Sequence, residues 1–270
     1  MSVKAKKRYG QNFLTDPRIP QRIVALSGIT ANVCALEIGP GRGILTKELS
    51  KAARRVAAVE IDEELIPQLL EQFPPESNVK IIRGDILETD IPSLVRENFG
   101  ETRVCVCANI PYYITSPIIL KLIAEREAVR SFTVMVQKEF AERLCAKKGT
   151  ADYSSLTVLC SYYASVKRLF AVPAGCFTPR PKVDSAVVRF DILDRPAVTP
   201  KDEKLFLSII RSAFAYRRKT LMNCLQSTHG SVFSKEELSK AFADAGSDPA
   251  VRGEDMDIYE FARLSDALSK

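Results

Sequence analysis

Short β-branched or apolar runs alternate with helix-periodic segments through the first two thirds of this chain, and that alternation restricts its fold more than any other feature. The runs are 33–38, 55–61, 79–83, 104–108 and 132–137; helical patterns fill 44–52, 63–72, 91–98 and 117–125 between them. Neighbouring parallel strands need long crossovers, usually helices, so the pattern predicts βαβ units and a mainly parallel sheet covered on both faces. Two later strands are expected over 161–170 and 185–191. The connection between them carries Pro173, Pro179 and Pro181, which excludes regular helix and central strand. The character changes around 193–200, where Pro196 and Pro200 bracket a linker. Beyond it the periodicity is helical, over 204–225, 235–245 and 258–268, with Ser234 and Glu237 spaced as a capping box. The expected architecture is α/β, a mainly parallel-sheet domain over 1–194, followed by a small all-helical domain over 195–270.

Composition removes several function classes. The 270 residues, 46% hydrophobic and 27% charged, are those of a globular protein with a substantial core. No apolar stretch approaches a membrane span, and the basic N-terminus lacks the apolar run of a secretory signal. Seven scattered cysteines with no C-x-x-C pair read as reduced, mostly buried thiols of a cytoplasmic protein. The single histidine, His229, excludes a multi-histidine metal site; no metal is expected. The net charge of +6 is uneven. Lys4, Lys6, Lys7, Arg8, Arg18 and Arg22 face only Asp16 in the first 22 residues, and Arg211, Arg217, Arg218 and Lys219 crowd together without an acid between them. Charge alone serves equally for a polyanion partner and for a solubilising surface.

Leu36-Glu37-Ile38-Gly39-Pro40-Gly41-Arg42-Gly43 ends the first strand and opens a helix. Glycines there permit a tight turn and close approach of a ligand. Glu60 ends the second strand, where a carboxylate accepts from ribose hydroxyls, and Asp85 follows the third, within reach of an adenine amine. The G-x-G-x-G spacing differs from the G-x-G-x-x-G of pyrophosphate binders, and Glu37 just before the turn suits a cation better than a dianion. These features favour S-adenosylmethionine over a nicotinamide dinucleotide.

Asn109-Ile110-Pro111-Tyr112 follows the fourth strand, at the same sheet edge as Gly39, Glu60 and Asp85. The exocyclic nitrogen of adenine is a poor nucleophile because its lone pair is delocalised into the ring. Two acceptors, the Asn109 side-chain oxygen and the Ile110 carbonyl, would hold its hydrogens and favour a tetrahedral nitrogen. Pro111 fixes the backbone, and Tyr112 offers a face for an unstacked base. Taken alone, the tetrapeptide also serves as an ordinary turn after a strand.

Together these residues resemble the KsgA/RsmA family of ribosomal RNA adenine dimethyltransferases. The resemblance runs from about Arg8 to Glu254. It includes Tyr9-Gly10-Gln11-Asn12-Phe13-Leu14, the two motifs above, Gln137-Lys138-Glu139, and the long string from Val172 to Val187 around Phe177-Thr178-Pro179-Arg180-Pro181. It implies a Rossmann-like methyltransferase domain followed by a small helical one, and transfer of two methyls to each of two adjacent adenosines in the hairpin loop near the 3′ end of small-subunit (16S) rRNA. It implies that Asn12 and Leu14 join Gly39, Gly41, Glu60, Asp85 and Asn109 around S-adenosylmethionine, and that Phe177 faces Tyr112 across the target base. Without the resemblance, Phe177 reads as a loop aromatic plugging the core. Lys6, Lys7 and Arg8, expected to be flexible until RNA binds, and Arg211, Arg217, Arg218 and Lys219 are expected on RNA. The partner is then the 30S subunit or its precursor, met by a monomer. Rival readings are dimethylation of large-subunit (23S) rRNA in antibiotic resistance, and a mainly non-catalytic ribosome-assembly factor. Two positions depart from the family pattern: Ser154 after Tyr153, and Gly253-Glu254-Asp255 after Arg252.

Overall fold

The structure, a computed structural model, describes residues 5–100, 103–216 and 218–269; Lys4 and Arg217 lie outside the described residues. The chain forms two compact units. One holds the residues up to 141 together with 167–192, and the other holds 142–166 together with 193 onward. The sequence reading placed one boundary, after residue 194; the second unit here also takes in 142–166.

The first unit carries β1 (Phe13–Leu14), α1 (Arg18–Leu26), β2 (Cys34–Ile38), α2 (Ile44–Ala52), β3 (Arg55–Glu60), α3 (Ile66–Gln72), β4 (Val79–Arg83), α4 (Ile91–Phe99), β5 (Val104–Asn109), α5 (Thr115–Ala124) and β6 (Val129–Gln137). After α6 (Lys138–Leu144) and α7 (Ser155–Tyr163), the chain returns through β7 (Ala164–Val172), β8 (Phe177–Thr178) and β9 (Ser185–Ile192). Among the described residues the main sheet has seven strands, in the order β4-β3-β2-β5-β6-β9-β7. The pairs from β4 to β6 are parallel, and β9 runs antiparallel to β6. Every residue of β2 is buried, as expected of a parallel strand covered on both faces. From β2 the chain order runs outward through β3 and β4, then doubles back to β5 on the other side. That reversal lies between β2 and β5, where open α/β sheets bind ligands beyond their carboxyl ends. A second, two-stranded sheet joins β1 to β8, pairing Leu14 with Phe177.

The second unit contains α7, α8 (Glu203–Ala213), α9 (Leu221–His229), α10 (Lys235–Asp244) and α11 (Ile258–Leu268). Two sequence expectations are corrected here. The strand expected over 161–170 starts only at Ala164, because Ser154 caps a helix ahead of it: Thr157 N donates to Ser154 Oγ (3.4 Å), and Ser154 N donates to Thr157 Oγ1 (3.2 Å). The hydroxyls of Tyr162 and Tyr163 then donate to Glu203 Oε1 (3.1 and 2.8 Å), tying α7 to α8. The single helix expected over 204–225 is two, because Thr220 caps a new start by accepting from Asn223 N (3.3 Å). The capping box at Ser234 and Glu237 is present. Among the described residues no helix is long and apolar enough to cross a membrane.

Gly253, one of the departures from the family pattern, has a steric reason. A Cβ on it would lie 2.5 Å from the Ala213 carbonyl oxygen and 2.8 Å from Ala213 Cβ, and the end of α8 would have to move. Gly253→Ala should therefore destabilise this unit by about 1–3 kcal/mol, seen as a lower midpoint of thermal unfolding. An unchanged midpoint would refute the close-packing account.

Candidate active site

The strand ends at the chain reversal enclose a cavity of about 360 Å³. Its floor is the turn after β2. Gly39 adopts φ 67° and Gly41 φ 60°, a region that side chains with a Cβ rarely enter. A Cβ on Gly39 would meet no atom within 4 Å, and on Gly41 it would come 3.3 Å from the Phe13 ring. The turn thus leaves open space above Gly39 and is packed tightly at Gly41. Glu60, buried at the end of β3, holds the turn's shape. Its Oε2 accepts from Gly41 N (2.9 Å) and its Oε1 from Asp62 N (2.8 Å). Burial pushes its carboxyl above the usual range, against the pull of those backbone donors. Each carboxylate oxygen keeps a further lone pair for a ligand hydroxyl. Asp85, after β4, is braced by Leu87 N on Oδ1 (2.9 Å), and the apolar side chains of Ile61 and Ile86 share the cavity wall with it.

Asn109 ends β5 at the opposite side of the reversal. Its Nδ2 donates to the Asn12 carbonyl (3.1 Å), which commits the amide nitrogen and leaves Oδ1 as the acceptor. Ile110 N donates to Met135 O (3.2 Å). Pro111 is extended (φ −57°, ψ 132°) and leads into a 3₁₀ turn at Tyr112–Ile114, ahead of α5. Thr115 Oγ1 donates back to Tyr112 O (3.1 Å). Tyr112 and Ser185 share a hydroxyl–hydroxyl hydrogen bond of 2.8 Å, so the ring orientation is set from β9. Partial burial raises the phenol's pKa and keeps it protonated. Tyr113 is 62% exposed and also lines the cavity.

The fourth side of the cavity is the N-terminal segment Tyr9–Leu14. Gln11 Oε1 accepts from Lys6 N (2.8 Å) while its Nε2 donates to Asp62 Oδ2 (2.9 Å). Lys6 Nζ lies 2.6 Å from Asp62 Oδ1 and 3.0 Å from Glu64 Oε1. Burial works against the Asp62 charge, but the bonds from Lys6 and Gln11 prevail and hold its carboxyl below the ordinary range.

The structure brings Asn12, Leu14, Gly39, Gly41, Glu60, Asp85, Asn109, Ile110, Pro111 and Tyr112 to one cavity wall. Two sequence expectations meet a different geometry. Phe177 is 3% exposed and packs in a cluster with Phe13, Leu14, Phe170 and Val172. It is one strand removed from the wall, because β8 pairs with β1 and it is β1 that lines the cavity; in this conformation it plugs the core. Lys6 is bound to Asp62 and Glu64 rather than extended for RNA. Lys7 opens a 3₁₀ turn, and the exposed Arg8 lies 4.7 Å from the centre of the Tyr9 ring. In the second unit Arg211, Arg218 and Lys219 are exposed, and Lys219 Nζ lies 4.5 Å from the centre of the Tyr216 ring. The sequence reading assigned no role to Gln11, Ile61, Asp62 or Ile86. An apolar residue directly after each strand-end acid was the legible signal for the two isoleucines; the Gln11–Asp62 contact spans 51 positions and left none.

Glu37 tests whether a cationic donor fits. It is 1% exposed, lines the cavity, and its Oε2 has no hydrogen-bond partner. A buried acid with one oxygen unpartnered, open space over Gly39, and acceptors at Glu60 and Asp85 are complementary to a ligand carrying positive charge, a ribose and an adenine amine. S-adenosylmethionine has all three.

A parallel sheet with one antiparallel strand, a glycine turn at its chain reversal and an acceptor pair beyond β5 define a Rossmann-like S-adenosylmethionine-dependent methyltransferase. The chain belongs to the ribosomal RNA adenine dimethylase family, whose sequence profile matches residues 2–260. It is 45% identical over 97% of its length to the ribosomal RNA small subunit methyltransferase A of Geobacillus thermodenitrificans, covering 90% of that protein. It is 46% identical to the Bacillus mycoides protein of the same name, over 97% of this chain and 91% of that one. Among solved structures, a dimethyladenosine transferase from Plasmodium falciparum superposes with TM-score 0.81 at 27% identity, over 93% of this chain and 95% of that one. The 23S rRNA methyltransferase ErmE superposes with TM-score 0.73 at 27% identity, over 95% and 99%.

Proposed function

We propose that this enzyme transfers methyl groups from S-adenosylmethionine to N6 of two adjacent adenosines in the 3′-terminal hairpin loop of small-subunit rRNA. It acts in the cytoplasm, as a monomer, on the 30S subunit or its precursor. The observation that carries the chemistry is the Asn109–Asn12 hydrogen bond. With Nδ2 committed to a carbonyl, Oδ1 can only accept. Together with the Ile110 carbonyl it would take both hydrogens of an adenine amine and leave the nitrogen lone pair aimed away from them. When bound, S-adenosylmethionine supplies an electrophilic methyl on a cationic sulfur. Gly39, Glu60, Asp85, Asn12 and Leu14 hold the donor, and Tyr112, oriented by Ser185, receives the unstacked base on its ring. Positioning and charge complementarity account for the rate, without a nucleophilic side chain or strong base. The exposed Arg211, Arg218 and Lys219 meet RNA phosphates in the helical unit, a contact that orients without reading sequence. Phe177 reaches the base only if the β1–β8 pair shifts when RNA binds.

The small-subunit substrate is supported by the name and the 45–46% identity of the bacterial relatives, against 27% for the 23S enzyme. Labelled S-adenosylmethionine offered with unmodified 30S and 50S particles should put label into 30S alone, and mass spectrometry should find dimethyladenosine. Label confined to 50S would overturn the assignment.

A further inference from the structure

The N-terminal wall of the cavity, residues 9–14, has little regular structure of its own beyond the end of a 3₁₀ turn and the two residues of β1. Its place is set by what holds its two ends. At one end β1 pairs with β8, and Asn109 Nδ2 donates to the Asn12 carbonyl. At the other end the segment is held by Asp62, two residues beyond Glu60. The Asp62 side chain is 1% exposed. It accepts from Lys6 Nζ on Oδ1 (2.6 Å) and from Gln11 Nε2 on Oδ2 (2.9 Å), and Glu64 N adds a longer bond to Oδ1 (3.2 Å). Gln11 Oε1 turns back to accept from Lys6 N (2.8 Å), and Tyr9 N donates to Lys6 O (3.2 Å). On its other side Asp62 N donates to Glu60 Oε1, whose partner oxygen, Oε2, holds Gly41 N. A continuous chain of hydrogen bonds therefore joins the glycine turn to the N-terminal wall. Lys6 is the cation in that chain; without it the buried carboxylate would keep only neutral donors, at a large desolvation cost.

We infer that Lys6, Gln11 and Asp62 are positioning residues for the methyl donor, an ionic clamp that holds the N-terminal wall against the glycine turn so that Asn12 and Leu14 keep their places in the cavity. The inference rests on the cavity being the S-adenosylmethionine site, and it moves Lys6 from the RNA to the donor. Opening the clamp leaves Asn109, Ile110 and Tyr112 where they are, because their partners are Asn12, Met135, Thr115 and Ser185. The loss should therefore fall on donor capture and not on the transfer step.

Lys6→Met removes the charge and keeps most of the side-chain volume. Calorimetric titration with S-adenosylmethionine alone should show an affinity about tenfold weaker than wild type. At saturating donor the single-turnover rate should recover to within about threefold, and binding of the donor-free enzyme to unmodified 30S particles should not change. Lys6→Arg keeps the charge and should restore most of the donor affinity. Asp62→Asn should cost at least as much as Lys6→Met, and the double variant no more than Asp62→Asn alone, since both substitutions open one clamp.

A second readout needs neither donor nor Asp62→Asn, which buries a changed polar group and can fail to fold. Amide hydrogen exchange over residues 6–12 of the donor-free protein should quicken in Lys6→Met and return toward the wild-type rate in Lys6→Arg. Wild-type donor affinity in Lys6→Met together with weakened 30S binding would return Lys6 to the RNA and overturn the inference. Additive losses in the double variant would also sink it, as would a Lys6→Arg protein that binds the donor no better than Lys6→Met, or unaltered exchange over 6–12. Absence of any donor binding to the wild type would overturn the donor site itself, and the clamp with it.

Discussion

Asn109→Ala should lower kcat for methyl transfer by roughly a hundred- to a thousandfold, the usual loss when one preorganised hydrogen-bonding group is removed from a reaction centre. Alanine removes the Oδ1 acceptor from the amine and the Nδ2 donor from Asn12. The first loss acts on the nucleophile. The second frees the Asn12 carbonyl, but Lys6, Gln11 and Asp62 still hold the N-terminal segment. Donor affinity should consequently fall less than kcat, within about tenfold. RNA binding, assigned to Arg211, Arg218 and Lys219, should be nearly unchanged. Asn109→Asp is the sharper variant. One of its carboxylate oxygens would face the Asn12 carbonyl, acceptor against acceptor, so the side chain must turn away from the position the amide holds. Single-turnover methylation with saturating donor separates these effects. A rate near wild type in Asn109→Ala would remove the side chain from the chemistry.

The site was legible in the sequence where local geometry demands particular residues. Gly39 and Gly41 declare a backbone conformation that other residues avoid, and Glu60 and Asn109 sit where short apolar runs stop. The limits of β4 and α2 coincide with the periodic segments, because both are set by neighbours in the chain. The illegible parts depend on distant partners. Nothing near Phe177 signals that Leu14, 163 positions earlier, will pair with it in a two-residue strand. Lys6 looked like a free cation beside Lys7 and Arg8; its ion pair with Asp62 bridges 56 positions. The helix before β7 was hidden by residues 161–170, whose apolar content reads as strand, and only the Ser154 cap upstream decides that the first three of them are helical. A basic run disguised the break between α8 and α9: Arg218 and Lys219 are good helix formers, but Thr220 starts a new helix directly after them.

Glu60→Gln should raise the dissociation constant for S-adenosylmethionine about a hundredfold, equivalent to about 2.7 kcal/mol. The substitution preserves volume and shape, so the effect isolates hydrogen-bond polarity. Glu60 accepts from Gly41 N on one oxygen and from Asp62 N on the other. A glutamine has one acceptor oxygen and one amide nitrogen, so either rotamer turns an N–H toward a backbone N–H. With Gly41 deserted, the turn loses the bond that shapes the open space over Gly39. With Asp62 deserted, the residue that anchors Lys6 and Gln11 shifts. Either way a buried donor is orphaned, at about 1–3 kcal/mol, and a ribose hydroxyl finds a donor where it needs an acceptor. Glu60→Asp keeps both acceptors but is one methylene too short to reach both donors at once, and should fall between the two. Calorimetric donor affinities would rank the three proteins. If Glu60→Gln bound the donor within threefold of wild type, the carboxylate would be a passive element of the strand end, and the turn would owe its shape to its glycines alone.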